Sequence, residues 1–132
     1  MTTRILAVFD RTPLGHLAVE TAFQSACSKT EAEVHVLAIP TTPGDAEQQE
    51  ALHDDLVAFA HVGRRLGVLM DGAIVEAPDT ARIVTEIRQR KIDRLVIAKP
   101  VRQTPDTAID RLLDAAANVA GISTLVVRGD DQ

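Results

Sequence analysis

The chain has 132 residues, 45% of them apolar, and a formal net charge of −5 at pH 7. That length suits one domain with a real core, residues 1–132, and that charge argues against non-specific nucleic-acid binding. No run approaches the roughly 20 apolar residues of a spanning helix, so membrane insertion is not expected.

Tyr and Trp are absent, and Phe9, Phe23 and Phe59 are the only aromatics, too few for a base-stacking platform. Cys27 is the single cysteine. Neither a disulfide framework nor a metal cluster is expected, which suits a reducing cytoplasm.

In chain order, MTTRILAVFD runs straight into a strand pattern, without the layout of a signal peptide. Five short apolar runs read as strands: residues 5–9, 34–39, 68–75, 95–98 and 125–127. The second, fourth and fifth are nearly continuous, as expected when helices cover both faces of a parallel sheet. Asp71 and Gly72 interrupt the third, which places it at an edge. Four helical patterns lie between the runs. Leu17, Ala18, Ala22 and Ala26 share one face, and Leu52, Leu56, Phe59, Ala60, Gly63 and Leu66 another. Ile83, Val84 and Ile87 form a third, and Ile109, Leu112, Leu113 and Ala116 a fourth.

Helix starts are marked repeatedly. Thr12-Pro13, Thr42-Pro43 and Thr104-Pro105 each pair a capping hydroxyl with a proline suited to the first helical position. Pro78-Asp79-Thr80 supplies caps for the remaining helix, and Gly121 stands where a helix C′ residue would. Read as phosphoacceptors these threonines have no special context, whereas each sits where a cap is needed.

The βαβαβαβαβ order predicts an α/β fold: a single doubly wound, five-stranded parallel sheet of order 3-2-1-4-5, with helices on both faces. That order sets the ends of strands 1 and 4 side by side at the topological switch point. A ligand crevice is therefore expected between Asp10, Arg11 and Thr12 on one side and residues 99–104 on the other. Lys99 is expected to pair with Asp10 across the crevice mouth.

The segments ILAVFDRTPLGHLAVETA, EVHVLAIP, APDTARIVTEIRQRKIDRLVIAKP and STLVVR together resemble the universal stress protein family over nearly the whole chain. The resemblance implies a non-catalytic regulatory or stress-protective homodimer. In nucleotide-binding members an aspartate after strand 1 and an apolar residue late in strand 2 hold the adenine; these roles would fall on Asp10 and Ile39. The phosphates rest on a loop after strand 4 with the pattern G-x-x-G-x9-G-[ST]. This chain departs from it. Ala98 and Val101 replace the first two glycines, and Asp110-Arg111 or Arg111-Leu112 the last pair.

Glycine admits positive φ and lets backbone N–H groups approach an anion, so each loss matters. Pro100 and Pro105 remove two further donors, and Asp106 and Asp110 put negative charge where a polyphosphate would sit. The crevice is expected and the phosphate cradle is not, which is the branch of the family lacking the ATP motif.

Lys99, Arg102 and Arg111 could supply side-chain charge in place of the missing backbone donors; the simpler reading is the Asp10–Lys99 pair with solvated arginines. Asp10 and Lys99-Pro100 also suggest a phospho-receiver, but a receiver's lysine follows its last strand and its first strand brings two carboxylates. His53 and His61 are eight apart on a helix, too widely spaced for a helical metal pair. His16, His35, Cys27, Ser25, Ser28 and Ser123 lack a partner for nucleophilic catalysis in sequence reach. No catalytic residue and no metal site is assigned, so no enzyme activity is expected.

The expectation is therefore a cytoplasmic stress or regulatory protein without a cofactor. One alternative is a sensor of adenosine, AMP or a cyclic dinucleotide, taking an adenine nucleotide at Asp10, Arg11, Ile39, Lys99 and Arg102. Another is an accessory domain that docks on a protein partner, a transporter or kinase. Strand 5 ends the sheet with an uncovered apolar edge, a hazard that pairing would remove. A homodimer through Ser123, Thr124, Leu125, Val126, Val127 and Arg128 is expected, with apolar side chains of the fourth helix extending it.

Overall fold

A computed structural model describes residues 2–76, 78–101 and 108–129. Five strands and four helices alternate: β1 (Thr3–Phe9), α1 (Pro13–Cys27), β2 (Ala32–Ala38), α2 (Ala46–Leu66), β3 (Leu69–Ile74), α3 (Thr80–Gln89), β4 (Arg94–Pro100), α4 (Ala108–Ala120) and β5 (Ser123–Gly129). The strands form one sheet, ordered β3-β2-β1-β4-β5, and every pairing is parallel. This is the predicted order, and β3 is indeed an edge.

Alternation along the strands divides the core into two layers. Ile5, Ala7, Phe9, Val34, Val36 and Val96 turn to one face and pack under α1 and α2. Leu6, Val8, Leu37, Leu95 and Ile97 turn to the other and pack under α3 and α4. The three central strands are apolar on both faces because helices cover both.

The helix ends agree with the sequence reading in three places and differ in one. Thr12 caps α1, its hydroxyl accepting from Gly15 N at 3.1 Å, with Pro13 opening the helix. Asp79 caps α3 through Arg82 N at 2.8 Å. Gly121 follows α4 at φ +69°, in the left-handed region that glycine enters without strain. The second helix, however, is capped by Asp45, which accepts from Glu47 N and Gln48 N, and not by Thr42-Pro43. A carboxylate lying closer to the apolar periodicity satisfies the first turn, and residues 42–44 are left as a turn. The Thr104-Pro105 cap lies outside the described residues.

Candidate functional site

The chain leaves β1 at Asp10 and must reverse into α1 within three residues. Arg11 makes the turn at φ +67°, a conformation uncommon outside glycine. Thr12 then donates to Asp10 Oδ1 twice, from its backbone N at 3.2 Å and its hydroxyl at 2.6 Å. Gly15 completes the arrangement. A Cβ there would lie 2.6 Å from Asp10 Oδ1 and 3.0 Å from Asp10 N, so the first turn of α1 approaches Asp10 only because residue 15 has no side chain. One carboxylate is thereby locked at the switch point between β1 and β4.

Two cavities meet at Asp10 and Thr12. One, of about 260 Å³, is lined by Asp10, Arg11, Thr12, Ile39, Pro40, Thr41, Gln48 and Leu52. Ile39 is placed there by a ladder bond continuing past β2, its N–H donating to Phe9 O at 2.8 Å. Gln48 Oε1 accepts from Thr42 N at 3.0 Å, and Glu76 Oε1 accepts from Gly44 N at 3.1 Å and from the Gln49 amide, so the loop over this cavity is tied down at two points. Arg11 Nε lies 2.9 Å from Asp55 Oδ2 of α2, which holds the arginine across the mouth. The second cavity, of about 220 Å³, lies toward β4 and α4. Its lining includes Asp10, Thr12, Gly15, Ala98, Pro100, Ile109 and Asp110. Asp110 is buried in the first turn of α4, so carboxylates stand on both sides of this second space.

The crevice thus brings Asp10, Arg11 and Ile39 together, and it does not include Lys99. Side chains alternate along β4. Val96, Ala98 and Pro100 face the crevice, and Lys99 falls on the opposite face, where Nζ meets Asp114 Oδ2 of α4 at 3.2 Å. The expected Asp10–Lys99 pair is replaced by this contact and by the Thr12 bonds to Asp10. Arg102 lies outside the described residues. Gly15, Gln48 and Asp110 line the crevice without having been assigned to it as ligand residues. Gln48 was legible: Asp45 followed three residues later by glutamine is a capping-box pattern, here reaching back to Thr42.

A second polar cluster lies away from the crevice, under α3. Arg90 donates to Glu86 Oε2 and Asp71 Oδ2, both at 2.7 Å, and its NH1 is 3.2 Å from His35 Nδ1. Glu86 also pairs with Arg82 at 3.0 Å, and Glu33 with Arg4 at 2.7 Å. His35 Nε2 is buried 3.7 Å from Glu33 Oε2 without a hydrogen bond. Burial, and secondarily the Arg90 charge, hold the His35 pKa below its usual value, against the opposing pull of Asp71 and Glu33. Among the described residues no three His, Cys, Asp or Glu side chains converge as a metal site would require. No described helix is long and apolar enough to cross a membrane.

Strand order 3-2-1-4-5 with its cavities at the carboxyl ends of β1 and β4 defines a doubly wound α/β protein with a crevice at the switch point. No protein-family model and no curated protein matches the sequence. Solved structures do match in fold. The chain is similar to a universal stress protein family member from Burkholderia pseudomallei, at 17% identity over 95% of each chain and a TM-score of 0.69. The universal stress protein from Archaeoglobus fulgidus in complex with dAMP matches at 13% identity, covering 96% of this chain and 98% of that one, with a TM-score of 0.67. A universal stress protein family protein from Arabidopsis thaliana with AMP bound matches at 11% identity, covering 97% and 92%, with a TM-score of 0.63. The fold is that of the universal stress proteins.

Proposed function

We propose that this chain is one domain of the universal stress type that acts as a non-catalytic regulatory or stress-response homodimer and does not hold ATP. The observation that carries the reading is the second cavity, where Asp10 and Asp110 flank the space a polyphosphate would need. Its β4 wall is Ala98 and Pro100, so the backbone offers neither glycine nor a donor at residue 100. A wall of this kind, with the Asp10 and Asp110 side chains beside it, is unlike the glycine-rich backbone cradle that a triphosphate needs. Lone Cys27 suits a cytoplasmic setting for this role.

A second reading is favoured by the other cavity. Its volume of about 260 Å³ and its walls of Ile39, Pro40 and Leu52 suit a flat base, with Asp10 as hydrogen-bond acceptor. The AMP and dAMP complexes of proteins with this fold support adenosine or AMP as its ligand. Titration calorimetry separates the two. ATP with magnesium is expected to bind no tighter than about 1 mM, equivalent to roughly −4 kcal/mol. A micromolar ATP constant overturns the proposal; measurable adenosine binding without ATP binding selects the second reading.

A further inference from the structure

The two faces of the sheet are closed differently. α3 and α4 pack against each other, whereas α1 and α2 lie over one core layer with scant mutual approach. Between them is a cleft of about 550 Å³, larger than either crevice cavity and within the roughly 300–1,000 Å³ range of small-molecule sites. Gly63 of α2 sets one end of it. A Cβ there would lie 2.8 Å from Val68 O and 3.2 Å from Phe23 of α1, so the missing side chain lets α2 settle close to both at that point.

The chain has three phenylalanines and no other Phe, Tyr or Trp ring. Phe23 and Phe59 both line this cleft, and Phe9 supports Phe59 edge-on at a centroid distance of 5.0 Å. Leu66, at 48% exposure, leaves apolar surface open at the rim. The lining carries one carboxylate, Glu20, and neither lysine nor arginine. Glu20 is the acidic group of the lining and His16 its imidazole, so a carboxylate is available to a cation, while the apolar walls favour shedding water from a hydrophobic body.

We propose that the α1–α2 cleft is a second ligand site, separate from the strand-end crevice, and that it takes a small lipophilic cation. The apolar body lies among Val19, Phe23, Phe59 and Leu66, and the ammonium group meets Glu20.

Cys27 is exposed and lines the same cleft, so its alkylation by iodoacetamide reports occupancy. The full chain is titrated at fixed pH with phenylbutylamine and, separately, with phenylbutyrate. At three times its dissociation constant the amine should slow alkylation about fourfold, since only the unoccupied fraction reacts. Phenylbutyrate should give no protection. Glu20→Gln should remove the preference for the amine, and Val62→Trp, at an exposed position beside the cleft, should remove protection by filling it. Unchanged melting of both variants shows that they fold. Lack of protection by the amine, or equal protection by the anion, overturns the proposal. So does alkylation that slows with protein concentration alone, which would mean that a second copy covers the cleft.

Discussion

Gly15 and His35 show how single residues set the two polar regions. Gly15 lies where any Cβ would press on Asp10 from 2.6 Å, against a backbone N as well as the carboxylate. Gly15→Ala should therefore destabilise by about 1–3 kcal/mol despite alanine's better helix propensity, measured by urea unfolding. A neutral or stabilising result would mean that the α1 turn relaxes freely. His35 acts through its proton. Its folded pKa lies below the unfolded value because burial and Arg90 disfavour the imidazolium. The unfolded chain binds the extra proton first, so His35 supports stability fully above about pH 6.5 and this is lost as pH falls through the lower folded pKa. The groups facing it are Glu33 on β2, Asp71 on β3 and Arg90 after α3. Unfolding free energies between pH 8 and pH 5 should decline, and His35→Gln should flatten that limb. An unchanged slope in the variant would assign the decline to other groups.

At the scale of elements, α2 separates two capping candidates. Asp45 accepts two N–H groups of the first turn through its side chain, while Thr42 anchors the preceding loop through its backbone, its N–H donating to Gln48 Oε1 and its O accepting from Asp45 N. Asp45→Ala should destabilise by about 1 kcal/mol, and Thr42→Ala by no more than a few tenths. Thermal melts of the pair check this; equal losses would return the cap to Thr42. The start of α2 was misplaced in the sequence because Thr-Pro and Asp are both good starting signals three residues apart. Which one caps depends on where the chain leaves β2, and Ile39 N bonding to Phe9 O sets that exit. The side of β4 that Lys99 occupies was readable in principle, since it follows from strict alternation with Ala98. Reading a strand end as a loop hid it.

At the scale of the whole molecule, the open question is how the sheet is finished. β5 has one neighbour, β4, among the described strands, and Val126, on the sheet face opposite Leu125 and Val127, is 44% exposed. Val119 of α4 is 59% exposed and offers the apolar extension expected of a dimer face. In the proposed homodimer two β5 edges pair antiparallel about a two-fold axis. Light scattering at tens of micromolar should give twice the chain mass, and Val126→Pro should give the monomer mass with its circular dichroism retained. A monomer for the unmodified chain refutes the dimer.

The sequence alone determined the alternation of strands and helices, the parallel sheet and its order, the edge position of β3, and the placing of Asp10 and Ile39 at a common crevice. All but the placing of Ile39, which is what the family resemblance implies, follow from apolar periodicity and from the handedness of crossovers, which are properties of short segments and of chain connectivity. Only the tertiary structure decided that Asp114 is what Lys99 meets, that His35 meets Arg90 fifty-five residues away, and that α1 and α2 leave a cleft between them. Each of these depends on where two distant segments come to rest and on how closely their backbones approach. Periodicity records which face a residue occupies, but not what arrives opposite it.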